Sequence, residues 1–131
     1  MNPSSVDMKN VLVADATLGL VFATNLFIGQ EPINPDDCVT IFDTPGFPPD
    51  SFYDNSVRYF RPSIQVRVRN TDYLVGWALI NNIKLLLHDR AQETRNSTLY
   101  SAVICSSEPS LLDWDKNGRA RFVTTFDIQR R

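Results

Sequence analysis

Few residues in this chain could do chemistry. The run Val39-Thr40-Ile41-Phe42-Asp43-Thr44-Pro45-Gly46-Phe47 has the residue types with which nucleotide hydrolases bring an Asp to magnesium and a glycine amide to the terminal phosphate. That chemistry needs an upstream phosphate cradle, G-x-x-x-x-G-K-[ST], whose amides and lysine carry most of the nucleotide's charge. The upstream glycines are Gly19 and Gly29, no Gly-Lys pair occurs, and Asn-Lys-x-Asp is absent. Without a cradle, Asp43 has no metal to hold. The run then reads as a β-prone stretch ending in a type II turn, with Pro45 at i+1 and Gly46 at i+2.

Asp113-x-Asp115-x-Asn117-Gly118 opens like a calcium loop, but Thr124 stands where the bidentate Glu belongs. Asn117-Gly118 reads instead as a tight turn before a strand. His88 is the one histidine, so multi-histidine metal sites are excluded. It falls at a helix C-terminus, where partial positive charge is favoured. Cys38 and Cys105 form no C-x-x-C pair and read as buried free thiols. Asp36-Asp37 lies in a polar turn, and no Ser or Cys stands in a nucleophile motif. The expectation is no enzyme, with no catalytic, cofactor-binding or metal-binding residue.

The elements that position these residues follow from punctuation and periodicity. Ser4 or Ser5 caps a first helix with Met8, Val11 and Leu12 on one side. Leu26–Ile28 and Cys38–Asp43 read as strands, separated by a turn-rich link with Pro32 and Pro35. Pro45, Pro48 and Pro49 make residues 43–59 a long loop carrying Phe47, Phe52, Tyr53 and Tyr59. In Ser63–Arg69, Ile64, Val66 and Val68 alternate with Gln65, Arg67 and Arg69. Period two gives one core face and one arginine face, turned to water, nucleic acid or another subunit.

Asn70 or Thr71 caps a helix from Asp72 to about Arg90, with Gly76, Leu79, Ile80, Ile83, Leu86 and Leu87 as its core stripe. Leu74, Trp77, Ala78 and Leu85 fall outside the stripe, which calls for a partner subunit or a deep groove within the domain. Thr98–Ser106 and Arg119–Arg130 read as strands around a loop at 108–118. The order α-β-β-β-α-β-β predicts one α+β domain over residues 1–131. It is a two-layer sandwich, a mainly antiparallel sheet with helices on one face.

The bulk numbers fit a single core: 131 residues, 43% hydrophobic, 21% charged, net charge −2. Residues 1–60 hold two basic and eight acidic side chains, near −6; residues 61–131 hold eleven and seven, near +4. One reading is a surface with no polarity once the halves fold together. The other is an acidic and a basic side, suited to head-to-tail association. No signal peptide or membrane span is visible; apolar runs such as Leu18–Ala23 are too short. The sequon Asn96-Ser97-Thr98 reads as incidental.

The order of several short motifs resembles a phage family. They are Thr24–Gly29, Pro35–Val39, Gly46-Phe47-Pro48-Pro49, Tyr59-x-Arg61-Pro62 running into Ser63–Arg69, Tyr73 opening a helix, and Asp115-x-Asn117-Gly118-Arg119. Together they resemble the minor capsid proteins of tailed bacteriophages that are similar to tail terminators, from about Thr24 to the end. The first helix, Leu74 and Trp77 depart from that pattern. The resemblance implies a structural virion protein of the tail and neck, assembled in the host cytoplasm. It implies a ring, a homo-hexamer, that caps the tail tube and joins it to the neck or head-completion proteins. DNA would pass through the lumen without sequence-specific contact, and no membrane is involved. Phe47, Pro48, Phe52, Tyr53, Arg58, Tyr59, Arg67, Arg69, Leu74, Trp77, Arg119 and Arg121 are the expected subunit contacts. A head-completion or neck adaptor ring, and a small cytoplasmic binding domain, are the alternatives.

Overall fold

The computed structural model describes residues 1–50 and 58–131. Helix α1 (Ser4–Ala14) is followed by a 3-10 turn (Ala16–Leu18) and strands β1 (Leu26–Ile28), β2 (Cys38–Phe47) and β3 (Arg61–Asn70). Then come helix α2 (Tyr73–Leu87) and strands β4 (Glu93–Arg95), β5 (Thr98–Trp114) and β6 (Ala120–Arg130). The six strands form one sheet in the order β1-β2-β3-β6-β5-β4. Both helices pack on one face of it, so the two-layer α+β architecture is the observed one.

The core lies between sheet and helices. Ile64, Val66 and Val68 of β3 face Phe126, Thr124 and Phe122 of β6 across the antiparallel register, and Val39 and Ile41 of β2 continue the layer. From above, α1 contributes Met8, Val11 and Leu12, and α2 contributes Ile80, Ile83 and Leu87. The alternation in β3 therefore does what period two requires: its aliphatic set is fully buried.

Three local expectations change. First, β2 does not end at Asp43, and Pro45-Gly46 is not a type II turn. Gly46 lacks the positive φ of that turn's third position. The strand runs on to Phe47 through a bulge between Thr44 and Phe47. Likewise β5 continues to Trp114, with Pro109 inside a shifted register where a loop was expected. Among the described residues, both prolines sit where one side of the strand has no partner: β1 pairs only with residues 39–41 of β2, and β4 only with residues 98–100 of β5. Proline is tolerated at edges and bulges because no ladder hydrogen bond is lost there.

Second, β1 runs parallel to β2 rather than antiparallel. A parallel pair normally needs a long crossover. Here β1 is three residues long, so the chain must return only about 10 Å, which the link at 29–37 covers. Third, the residues between α2 and β5 include β4. Asn96 and Ser97, with φ of 49° and 62°, form the two-residue turn of a β4–β5 hairpin, a geometry that suits Asn.

Helix starts also differ from expectation. Asp72, not Asn70 or Thr71, caps α2, accepting from the Leu74 and Val75 amides at 3.0 and 3.3 Å. Ser4 and Ser5 lie inside α1, whose own first residues offer no side-chain cap. Asp43 supplies it from β2, taking the Ser5 amide at 3.1 Å and the Ser5 hydroxyl at 2.6 Å. Asp43→Ala should cost about 1 kcal/mol, the usual value of a helix cap, read as a lower denaturant midpoint with an unchanged slope.

A buried polar node fastens α1 to the far end of the sheet. Asp7 is fully buried and accepts from the Tyr100 hydroxyl and, at 2.7 Å, from the Asn96 amide. Arg130 donates to the Tyr100 oxygen at 3.1 Å and to the Asn2 carbonyl at 2.7 Å. Burial, then the hydrogen bond to Asp7, pushes the Tyr100 phenol up to about 12. The folded state thus holds the neutral phenol more firmly than the unfolded chain does. Its contribution is complete below about pH 10 and is lost as pH rises from there to about 12. Alkaline unfolding followed by tyrosine absorbance should fall in that window. Tyr100→Phe should flatten the dependence there and cost about 1–3 kcal/mol by leaving Asp7 short of a donor.

Candidate functional site

The residues with catalytic or metal-binding potential are engaged within the fold. Asp43 caps α1, as above. Asp115 accepts from the Asn117 and Arg119 amides, each at 2.9 Å, and from the Arg119 guanidinium at 2.6 Å. Gly118, with φ of 75°, closes this β5–β6 hairpin, so the Asp115 carboxylate shapes a turn. His88 accepts the Cys105 amide on Nδ1 at 3.0 Å, leaving Nε2 to face Asp89 at 3.4 Å. Both cysteines are free; burial pushes the Cys38 thiol upward. Among the described residues, no three His, Cys, Asp or Glu side chains gather as metal ligands. No helix among them is long and apolar enough to cross a membrane.

The arginine face has a different occupant from the three foreseen. Arg69 is 3% exposed. It donates to the carbonyls of Ile33, Pro35 and Asp36 and pairs with Glu31 at 3.2 Å. Arg119 reaches the Ile33 carbonyl at 2.7 Å and Asp36 at 3.2 Å, besides Asp115. Arg121 makes a bidentate pair with Asp113 and approaches Glu31 at 3.4 Å. The Arg121 guanidinium holds the Asp113 carboxyl below its usual range, and Asp113 raises the arginine in return. These side chains clamp the crossover link onto the sheet. The acidic first half and basic second half meet here, so much of the charge polarity of the sequence is consumed inside the subunit.

The other expected contact residues scatter. Phe47 is 66% exposed, and Pro48 and Arg58 are exposed too. Tyr59 is half-buried beneath the Arg131 guanidinium, 5.4 Å from the ring. Arg67 is half-buried, lies over Phe42 at 4.8 Å and donates to Gln65 at 2.9 Å. Phe52 and Tyr53 lie outside the described residues.

Leu74 and Trp77 do come together with neighbours. Gly76, Ile80, Ile83 and Leu87 turn inward, which leaves Leu74 73% and Trp77 40% exposed. Tyr73 stacks on Trp114 of β5 at 6.1 Å, and both Tyr73 and Trp77 meet the buried Phe122 edge-on at 5.0 and 5.9 Å. The result is an apolar ridge along α2 and the tip of the β5–β6 hairpin. It is not the deep internal groove that the surplus apolar residues also allowed. Trp114 was missed as a member because it read as a loop residue, and Tyr73 because it read as extending the core stripe of the helix by a turn, whereas it is 41% exposed.

This chain resembles known proteins at two levels. Residues 6–131 match a family described as bacteriophage tail terminator protein. No curated protein matches the sequence. Among solved structures, a chain from the virion of a native gene transfer agent particle shares the fold, with a TM-score of 0.65 at 16% identity. The likeness covers 94% of this chain and 90% of that one. The family match spans nearly the whole described core, so the chain belongs to the bacteriophage tail terminator proteins and is a structural protein of the phage tail.

Proposed function

We propose that this protein closes into a ring of identical subunits, six in number, that caps the tail tube and joins it to the neck proteins, with DNA passing through the lumen. What carries the reading is the family match over residues 6–131. The ridge around Leu74, Trp77 and Trp114 supports it, since contiguous exposed apolar side chains mark interaction surfaces. Phe47 at the end of β2 and Pro48 just after it, with Arg58 and Tyr59 ahead of β3, offer a second contact region. Arg69 and Arg119 act from within, by holding the crossover link.

The test mixes purified protein with tube subunits of the same virion and follows mass by light scattering and tube length by electron microscopy. The expected result is tubes that stop growing and carry a ring at one end. Binding to portal-side adaptors without any effect on tubes would overturn the reading in favour of a neck adaptor. A monomer that binds neither would point to a small binding domain instead.

A further inference from the structure

We propose that Asn117 is a site of spontaneous modification, an asparagine that deamidates through the nitrogen of Gly118, and that the Asp115 carboxylate sets the rate by holding the turn shut. Asn117-Gly118 is the one Asn-Gly pair in the chain. It forms the tip of the β5–β6 hairpin, and both residues are exposed. The step joins the Gly118 backbone nitrogen to the Asn117 side-chain carbon Cγ. The Cγ–Nδ2 bond breaks, Nδ2 takes up the proton that the Gly118 nitrogen loses, and ammonia departs from a cyclic succinimide. Water then opens the ring at either carbonyl, giving aspartate or isoaspartate. The only co-reactant is water. Glycine favours the step because no Cβ shields its nitrogen. The space is open too: among the described residues, no atom beyond the chain neighbours lies within 4 Å of where a Gly118 Cβ would stand.

The turn itself restrains the reaction. Gly118 donates its amide proton to the Asp115 carbonyl at 3.0 Å, and the Asp115 amide donates to the Arg119 carbonyl at 2.9 Å. The Asp115 carboxylate ties down the residues on both sides of Gly118. It accepts from the Asn117 and Arg119 amides at 2.9 Å each and from the Arg119 guanidinium at 2.6 Å. Attack needs the Gly118 nitrogen to give up its proton and turn toward the Asn117 side chain, which breaks its bond to Asp115. The reaction therefore runs from the opened turn, and its rate follows the opened fraction. The product is felt beyond the tip. Either form adds a carboxylate to the turn, and isoaspartate adds a backbone carbon close to Trp114, whose ring stacks on Tyr73.

The test holds the folded chain in mildly alkaline buffer and maps it with a glutamate-specific protease. Cleavage yields residues 94–108, with Asn96, and residues 109–131, with Asn117. Conversion is read as the amide-to-acid mass shift in each peptide, and isoaspartate by isoaspartyl methyltransferase labelling. A synthetic peptide of residues 109–131 gives the rate without the fold. The expected order is the synthetic peptide fastest, then Asp115→Ala, then Asp115→Asn, which keeps an oxygen for the two amides, then the wild type. Hydrogen bonds to a charged group are strong enough that Asp115→Ala should quicken conversion by about tenfold to a hundredfold. Asn96, whose side-chain nitrogen donates to Asp7 at 2.7 Å, should keep its wild-type rate. Should Asn96 quicken as well, Asp115→Ala has opened the whole chain, and Asp115→Asn decides. Faster conversion there at Asn117 alone supports the lock; no difference from wild type overturns it. Equal rates in wild type and Asp115→Ala would likewise overturn the lock. An Asn117 that stays unconverted in Asp115→Ala while the synthetic peptide converts would overturn the site.

Discussion

A Gly46→Ala chain should fail to reach the native state. A Cβ at this position would lie 2.0 Å from the Arg61 carbonyl oxygen and 2.8 Å from the Pro62 carbonyl carbon and Cα. All three are backbone atoms of the neighbouring strand, so no rotamer change relieves the clash. β2 and β3 would have to separate at the bulge, beside the Asp43 cap of α1. Overpacking usually costs about 1–3 kcal/mol, and a contact against fixed backbone belongs at or above the top of that range. A loss of about 3 kcal/mol or more is expected in urea denaturation, or no soluble protein at all. Gly76→Ala is the informative comparison. Its Cβ would meet the edge of the Phe122 ring at 2.8 Å and the Asn70 Cβ at 3.0 Å. A ring can tilt, and alanine gains about 1 kcal/mol of helix propensity over glycine. Gly76→Ala should therefore be the milder of the two, and the opposite ranking would show that the β2 bulge yields more readily than its geometry indicates.

Arg69→Met should cost about 3–5 kcal/mol, the range for breaking a buried ion pair from one side. The methionine fills the space but leaves the carbonyls of Ile33, Pro35 and Asp36 without this donor, and Glu31 without its closest cation. Arg69→Lys should rescue little, because one ammonium cannot span the donors that the planar guanidinium distributes over four acceptors. The link at 29–37 should become the first site of limited proteolysis. Arg67→Met, at the same face but half-buried and, among the described residues, bonded only to Gln65 and the Phe42 ring, should cost under about 1 kcal/mol. Equal losses for the two would sink the clamp. A charge reversal at both positions thus reports on the clamp before it reports on any neighbouring subunit.

Much of the fold was legible in local pattern. The alternation at residues 63–69 and the helical spacing from Gly76 to Leu87 depend only on which residues must face a core, and both hold. Pro45 read as an end of regular structure, and residues 108–118, which hold Pro109, read as a loop. A proline's cost depends on whether its missing amide had a partner. That is set by how far β1 and β4 extend, several strands' worth of chain away. Antiparallel pairing of β1 was the simpler expectation for the same reason: a three-residue strand carries no orientation signal of its own.

The sequence by itself determined the two-layer class, the inward face of α2 and the absence of a phosphate cradle around Asp43. Each is a matter of residue type and spacing along a few turns or strands. The tertiary structure alone decided the partners of polar groups. Asp43 meets the Ser5 amide across 38 positions, and Arg119 meets the Ile33 carbonyl across 86. An arginine row looks the same in sequence whether it faces water, nucleic acid, another subunit or its own chain. Hydrogen bonds and ion pairs act over only a few ångströms, so their owners are known only once the fold has brought distant segments that close. Apolar burial follows from periodicity; the assignment of each charge waits for the last fold of the chain.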